Sequence, residues 1–236
     1  MHDLQDIINF KLHPIDNSNL YVKRCRDELQ KNFILFLNNF LAEKTLVNLQ
    51  REAQILYNKA FYCSQNHNIL LTEKNTQLDD NHPCNIEVVS DKGCVPHDWI
   101  PENSSLRIIY NSSLFKNFIQ SLLSVEKIYP YADTLSSINY NYYKKGQQLG
   151  WHFDNASFAI SLMIQSPASG GNFQYVVNAR NVEKNILNVQ LVDSVLKNKY
   201  PAKELRIEEG TLVLFYGSNY LHRVTPVISN KHRVLV

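Results

Sequence analysis

From Ser137 onward the sequence keeps one rhythm: short aliphatic and aromatic runs cut at close intervals by glycine, proline and asparagine. Ser137-Ile138-Asn139-Tyr140-Asn141-Tyr142-Tyr143 alternates with the period of two that a half-buried strand requires. Ala159–Gln165 reads as a further strand, and Ser169-Gly170-Gly171 as a turn. Asn172–Val177 is then expected to return as the hairpin partner of Ala159–Gln165. Leu205–Ile207, Thr211–Tyr216, His222–Val227 and Arg233–Val236 complete the set, and Ile186, Val189, Val192, Val195 and Leu196 mark a helix inserted among them. Roughly eight short strands of this kind suit a double-sheet jelly roll, whose mouth commonly carries a site.

The first half has a different character. Residues 1–20 show no period and are expected to form an arm lying on the body. A charged patch, Lys23–Glu28, precedes Phe33-Ile34-Leu35-Phe36-Leu37, a run compatible with a strand or the start of a buried helix. Leu46, Leu49, Ala53, Leu56 and Ala60 recur at steps of three and four, which predicts an amphipathic helix over about residues 42–62 packed on a sheet. Leu114, Phe115, Phe118, Leu122 and Leu123 predict another, with Ser112 or Ser113 as N-cap. Between these helices Ser64–Asn103 is polar and reads as long loops, with Val88-Val89 and Leu70-Leu71 as strand-like fragments; His67, His82 and His97 read there as surface or turn residues. Helices followed by strands argue an α+β fold, mainly β in its core, rather than alternating βαβ units. We expect one domain over 1–236, with helical support over about 1–130 and the jelly-roll core over about 131–236.

Composition narrows the partners. A net charge of +2 gives no concentrated basic face for nucleic acid, and no run of about 18 apolar residues is present to span a membrane. The N-terminus lacks the basic and apolar regions of a signal peptide. Cys25, Cys63, Cys84 and Cys94 show no C-x-x-C spacing, as expected of free thiols in a reducing cytoplasm. A cytoplasmic protein with a small-molecule partner, and neither nucleic acid nor membrane, is the expectation.

The chemistry gathers around Trp151-His152-Phe153-Asp154. His152 and Asp154 are two apart, so on an extended strand both point to one face, while Phe153 anchors the other. His222 lies 70 residues on, after a strand and turn that can return it to the same sheet mouth. Two imidazoles and a carboxylate form the facial triad that holds non-haem Fe(II) and leaves coordination positions open. Arg233 follows His222 by 11 residues. Its planar guanidinium pairs both oxygens of a carboxylate.

The segment from about Asn141 to Val236 resembles the Fe(II)/2-oxoglutarate dioxygenase superfamily, whose core is a double-stranded β-helix. The resemblance implies His152, Asp154 and His222 as iron ligands and Arg233 as the partner of the far carboxylate of 2-oxoglutarate. Asn141 and Tyr143, ahead of Gly146, are similar to a pair that hydrogen-bonds 2-oxoglutarate in the alkylated-nucleic-acid demethylases. A closer similarity runs over Gly150–Asp154, Gln165-x-Pro167, Gly170-Gly171-x-Phe173-x-Tyr175-Val176-x-Asn178-x-Arg180, Gly210–Phe215 and Leu221–Val227. These residues resemble the small enzymes that hydroxylate or halogenate free amino acids such as lysine. In the halogenases of that family glycine replaces the acidic ligand and opens a site for chloride. Asp154 fills that position here, so the resemblance implies hydroxylation of an unactivated C–H, with O2 consumed and succinate and CO2 released. No side chain is expected to act as general acid or base. Asn155, Trp151 and Arg180 flank the metal strands and are the expected substrate contacts. The chain stops three residues after Arg233, where relatives continue with polar contacts to substrate, so recognition is expected to be completed otherwise or by a tail beyond Val236. The alternatives are a peptide or nucleic-acid hydroxylase-demethylase of the same superfamily, and a non-catalytic cupin-like metal-binding module, which has no use for Arg233.

Overall fold

Backbone hydrogen bonds sort the strands into two facing sheets, and the side-chain alternation along each strand decides which face meets what. The computed structural model describes residues 4–16, 19–133 and 135–236. Its helices are α1 (Leu4–Ile7), α2 (Asn19–Asn32), α3 (Glu43–Leu56), α4 (Ser105–Asn111), α5 (Ser113–Leu123) and α6 (Val189–Leu196). The strands are β1 (Ile34–Leu37), β2 (Phe61–His67), β3 (Val88–Val95), β4 (Tyr140–Tyr143), β5 (Leu149–His152), β6 (Ala159–Gln165), β7 (Phe173–Val176), β8 (Arg180–Asn181), β9 (Ile186–Leu187), β10 (Lys203–Leu205), β11 (Leu212–Phe215), β12 (Leu221–Val224) and β13 (Arg233–Leu235). The major sheet runs β1-β11-β6-β13-β4-β3-β2, the minor sheet β10-β7-β12-β5, and β8-β9 is a separate hairpin. This is the double-stranded β-helix with helical support that the sequence led us to expect.

Alternation divides the apolar residues among three clusters. Leu35, Leu37, Leu162, Ile164, Leu212 and Leu214 turn to the helices and join Leu29, Leu49, Ala53, Phe118 and Leu122. Their strand neighbours Ile34, Met163, Val213 and Phe215 turn the other way and meet Phe173 of the minor sheet. On the outer side of the minor sheet Trp151, Val176 and Leu221 pack with Phe153, Ile69 and with Val192 and Val195 of α6. The interior between the sheets is thus apolar at one end, and the polar groups of the candidate site sit in the remainder.

Local chemistry explains several element boundaries. Ser112 Oγ accepts from the Phe115 amide at 3.2 Å and caps α5, which buries Phe115, Phe118, Ile119 and Leu122. The helix expected over about 42–62 begins at Glu43 and stops earlier, at Leu56, continuing only as a 3-10 turn. From Phe61 the backbone is taken instead by a seven-residue antiparallel ladder with β3. The polar stretch read as loops therefore holds two strands. The leading residues are also more than an arm: Ile7, Ile8 and Ile15 are buried, and Ala42 N–H donates to Ile7 O at 2.9 Å. Residues 1–3 and 17–18 of that expected arm lie outside the described residues. The charged patch belongs to α2, which buries Tyr21, Cys25 and Leu29 at steps of four.

One pairing differs from expectation. β7 does not return along β6; β6 pairs with β11 and β13, whereas β7 pairs with β10 and β12 in the opposite sheet. Gly170 and Gly171 take φ of +70° and +63°, and Gly170 bridges Val227, so the chain crosses between sheets where a hairpin was expected. The four cysteines are free, and among the described residues no helix is long and apolar enough to cross a membrane.

Candidate metal centre

His152 and His222 face each other as register partners on the adjacent strands β5 and β12. In each ring Nδ1 meets the backbone carbonyl two residues back, Gly150 O at 2.8 Å and Tyr220 O at 2.9 Å. An Nδ1–H donated there fixes the tautomer and leaves Nε2 bare. The ring centroids stand 4.2 Å apart. Asp154 lies just past the end of β5, where its amide donates to Gly217 O at 3.1 Å. Its Oδ1 comes within 3.4 Å of His152 Nε2 and 3.5 Å of His222 Nε2. Ligand atoms about 2.1 Å from one ion and at right angles to each other stand roughly 3 Å apart, so these separations suit a single metal. Among the described residues this is the one such cluster of histidine, cysteine and acidic side chains.

The charge states match that use. Burial lowers the His152 pKa, and nearby His222 lowers it further. Burial alone would raise the Asp154 pKa, but the two imidazoles hold the carboxyl below its ordinary range, because a proton taken up on either Nε2 would hydrogen-bond to the carboxylate and set a positive charge beside it. Neutral imidazole beside ionised carboxylate is the protonation state a divalent cation requires of its donors.

Arg233 on β13 is the register partner of Tyr143 on β4, and its guanidinium carbon lies 5.2 Å from that ring's centroid. The side chain is 1% exposed, and Nε and Nη1 have no hydrogen-bond partner. Burial pushes its pKa down from the ordinary arginine value, while the Tyr143 phenol opposes the shift. A buried, incompletely paired cation is costly, and a carboxylate is the group that would satisfy it. Gly171 makes the room: a Cβ there would stand 3.2 Å from Arg233 Cδ. Asn141, two residues before Tyr143 on the same face of β4, is the register partner of Leu235. Tyr140 and Tyr142 face the other way, donating to Glu52 Oε1 and Ala53 O, each at 2.8 Å. Leu235, on the Arg233 face of β13, packs with Phe173 and Phe215, whose rings lie 5.8 and 5.0 Å from His222. The donor cluster and the buried guanidinium therefore share one interior, and together they fit Fe(II) and 2-oxoglutarate.

The expected substrate contacts are dispersed. Trp151 is buried on the opposite side of β5 from His152, with the Arg223 guanidinium 4.6 Å from its ring centroid. It packs the outer face of the minor sheet, the side to which alternation from His152 sends it. Asn155 is exposed, one residue beyond Asp154. Arg180 lies on β8, its guanidinium 5.4 Å from the Phe153 ring. It lines an open cavity of about 320 Å³ with Asn178, Glu183, Asn219, Tyr220 and Phe33 among others. Asn219 and Tyr220 belong to the turn that also brings Gly217 to Asp154.

Two neighbours of the cluster escape the sequence reading. His67 of β2 sets its ring edge-on to His152 at 6.0 Å between centroids. Its Nε2 lies 2.5 Å from Ser90 Oγ, which accepts from the Gly150 amide at 2.9 Å, so His67 and Ser90 brace the strand that carries His152. Gly217 is the second. Its only sequence signal is its place in the turn before His222.

Solved structures share the fold. A 2OG-Fe(II) oxygenase family oxidoreductase from Burkholderia pseudomallei superposes with a TM-score of 0.57 at 11% identity, covering 92% of this chain and 89% of that one. A prolyl hydroxylase from Trichoplax adhaerens, in complex with a hypoxia inducible factor peptide fragment, gives 0.56 at 14% identity over 96% and 90%. The epimerase SnoN, in complex with Fe3+, alpha ketoglutarate and nogalamycin RO, gives 0.57 at 8% identity over 92% and 82%. Among curated proteins no match is found. The sequence itself matches a family model, Halogenase D, from residue 17 to residue 236, and by that match the chain belongs to the Halogenase D family.

Proposed function

We propose that this protein is an Fe(II)- and 2-oxoglutarate-dependent dioxygenase that hydroxylates an unactivated C–H of a small substrate, a free amino acid such as lysine. The observation that carries the reading is the carboxylate of Asp154, whose Oδ1 lies near both bare imidazole nitrogens. In this reading His152, Asp154 and His222 hold the iron, and Arg233 binds the far carboxylate of 2-oxoglutarate with Tyr143 and Asn141 beside it. When bound, the pair supplies the oxidation: 2-oxoglutarate is decarboxylated to succinate, and one atom of dioxygen is left for the substrate carbon. The chain's own part is to bind, orient and exclude water. Asp154 occupies the position that a halide would need at the metal, which favours hydroxylation over halogenation.

What supports a free amino acid is the cavity beside the Tyr216–Tyr220 turn. Its volume of about 320 Å³ is at the small-ligand end of binding pockets. It offers Arg180 to a carboxylate and Glu183 to an ammonium group, a pairing that suits a zwitterion.

Purified protein with Fe(II), O2 and 2-oxoglutarate, given a panel of amino acids, should form succinate fastest with one of them. Mass spectrometry should find a product heavier by one oxygen. Turnover on peptides alone would remove the free-amino-acid part. A chlorinated product in chloride buffer would remove the hydroxylase part. Full activity in His152→Ala would remove the iron assignment.

A further inference from the structure

We propose that Gly217 is a positioning residue for the Asp154 carboxylate, and that the bare Cα at 217 decides whether the metal receives a carboxylate ligand. The proposal rests on the reading of His152, Asp154 and His222 as the metal site. Gly217 sits in the turn between β11 and β12. Four glycines of the chain have positive φ, namely Gly146, Gly170, Gly171 and Gly210, and Gly217 is not one of them. Backbone conformation therefore does not call for glycine at 217. Space does. A Cβ there would stand 1.8 Å from Asp154 Oδ2, 2.6 Å from its Cγ and 2.9 Å from Phe215 Cε2. No real Cβ comes that close to a carboxylate, so an added methyl must displace something.

The possible movers are unequal. The turn's backbone is tied to Asp154, because Gly217 O accepts the Asp154 amide at 3.1 Å. Phe215 is buried, its ring centroid 5.5 Å from that of Phe173 and 5.0 Å from that of His222. The Asp154 side chain is short and the most exposed of the three candidate ligands, at 22% against 7% and 4% for the histidines. Rotation of that carboxylate toward solvent is the least costly relief, and it removes Oδ1 from the two imidazole nitrogens. Gly217 thus fixes Asp154 twice, once by accepting its amide and once by leaving its carboxylate a place to stand.

A double-mutant cycle on the full chain tests this without any turnover. Wild type, Gly217→Ala, Asp154→Gly and the double variant are each titrated with Co(II), as a spectroscopic probe, and affinity is read from visible absorption. Gly217→Ala should weaken Co(II) binding roughly 10–100-fold, the usual loss when a ligand's support is removed, and Asp154→Gly, which removes the ligand itself, at least as much. The double variant should bind no more weakly than Asp154→Gly, because the methyl then has no carboxylate to displace. Wild-type affinity in Gly217→Ala overturns the proposal. So does a double variant about tenfold weaker than Asp154→Gly, since the methyl would then act through something else. If Gly217→Ala fails to fold but the double variant folds, the clash with Asp154 is upheld; if neither folds, it is overturned. Wild-type affinity in Asp154→Gly is a different failure, which sinks the metal reading itself.

Discussion

A guanidinium enclosed to 1% exposure, with two nitrogens unpartnered, destabilises the protein that carries it unless a ligand arrives. Arg233 should therefore show a trade between stability and binding. Arg233→Met is expected to raise the melting temperature of the 2-oxoglutarate-free protein while abolishing the increase that 2-oxoglutarate gives wild type. Thermal denaturation with and without 2-oxoglutarate checks both halves; a Met variant still stabilised by the cosubstrate excludes the role. At this scale the sequence was most informative where residue type and spacing coincide. His152, Asp154 and His222 are all named by it and meet in space. Trp151 was singled out by proximity in sequence, and strand alternation sends it to the far face. His67 was passed over because its neighbour Ser90 is 23 residues away, a separation that no local pattern reveals.

Elements that hold themselves together locally were readable, and those defined by a distant partner were not. α5 has its stripe and its Ser112 cap within one short stretch. Ser112→Ala should cost about 1 kcal/mol, measured by denaturant unfolding, because the Phe115 amide loses its acceptor. β2 was missed because its side chains are mostly exposed and show no alternation, its pairing with β3 supplying what the pattern lacks. β7 was read as a strand but assigned the wrong neighbour, since the choice between sheets is made by the crossing at Gly170-Gly171. A contact between elements gives a pH-dependent test. Glu52 of α3 accepts from Tyr140 of β4 and from Ser104, each at 2.8 Å, and burial raises its pKa despite both bonds. A carboxyl raised on folding contributes stability below its unfolded pKa and loses it as pH climbs through the folded value. Glu52→Gln keeps an acceptor for both hydroxyls and removes the titration. The melting temperature of Glu52→Gln minus that of wild type should therefore grow as pH rises from the ordinary glutamate value, about 4, through the raised folded value. A pH-independent difference would refute the linkage.

For the molecule as a whole, an ion held as proposed by His152 and His222 would join residues 70 positions apart. Binding to the folded chain alone should stabilise it by about 2.7 kcal/mol when free metal is 100 times its Kd. Chelator should lower the wild-type melting temperature and leave His222→Ala unchanged, as calorimetry can show. Equal sensitivity in both proteins would place the stabilising metal elsewhere.

The chain leaves the minor sheet at Val176 and re-enters it at Lys203, where Lys203 is the register partner of Tyr175. The excursion over 177–202 thus begins and ends at neighbouring points of one ladder, and it carries α6, the β8-β9 hairpin, Arg180 and Glu183. Such a segment is a cassette. Its hairpin can be lengthened, shortened or replaced without altering the order of the strands that bear His152 and His222, provided Val192 and Val195 still cover the sheet. On the proposal that Arg180 and Glu183 contact substrate, selectivity and chemistry would lie on separable parts of one chain, and exchange of the cassette between relatives should transfer substrate preference while leaving the reaction intact.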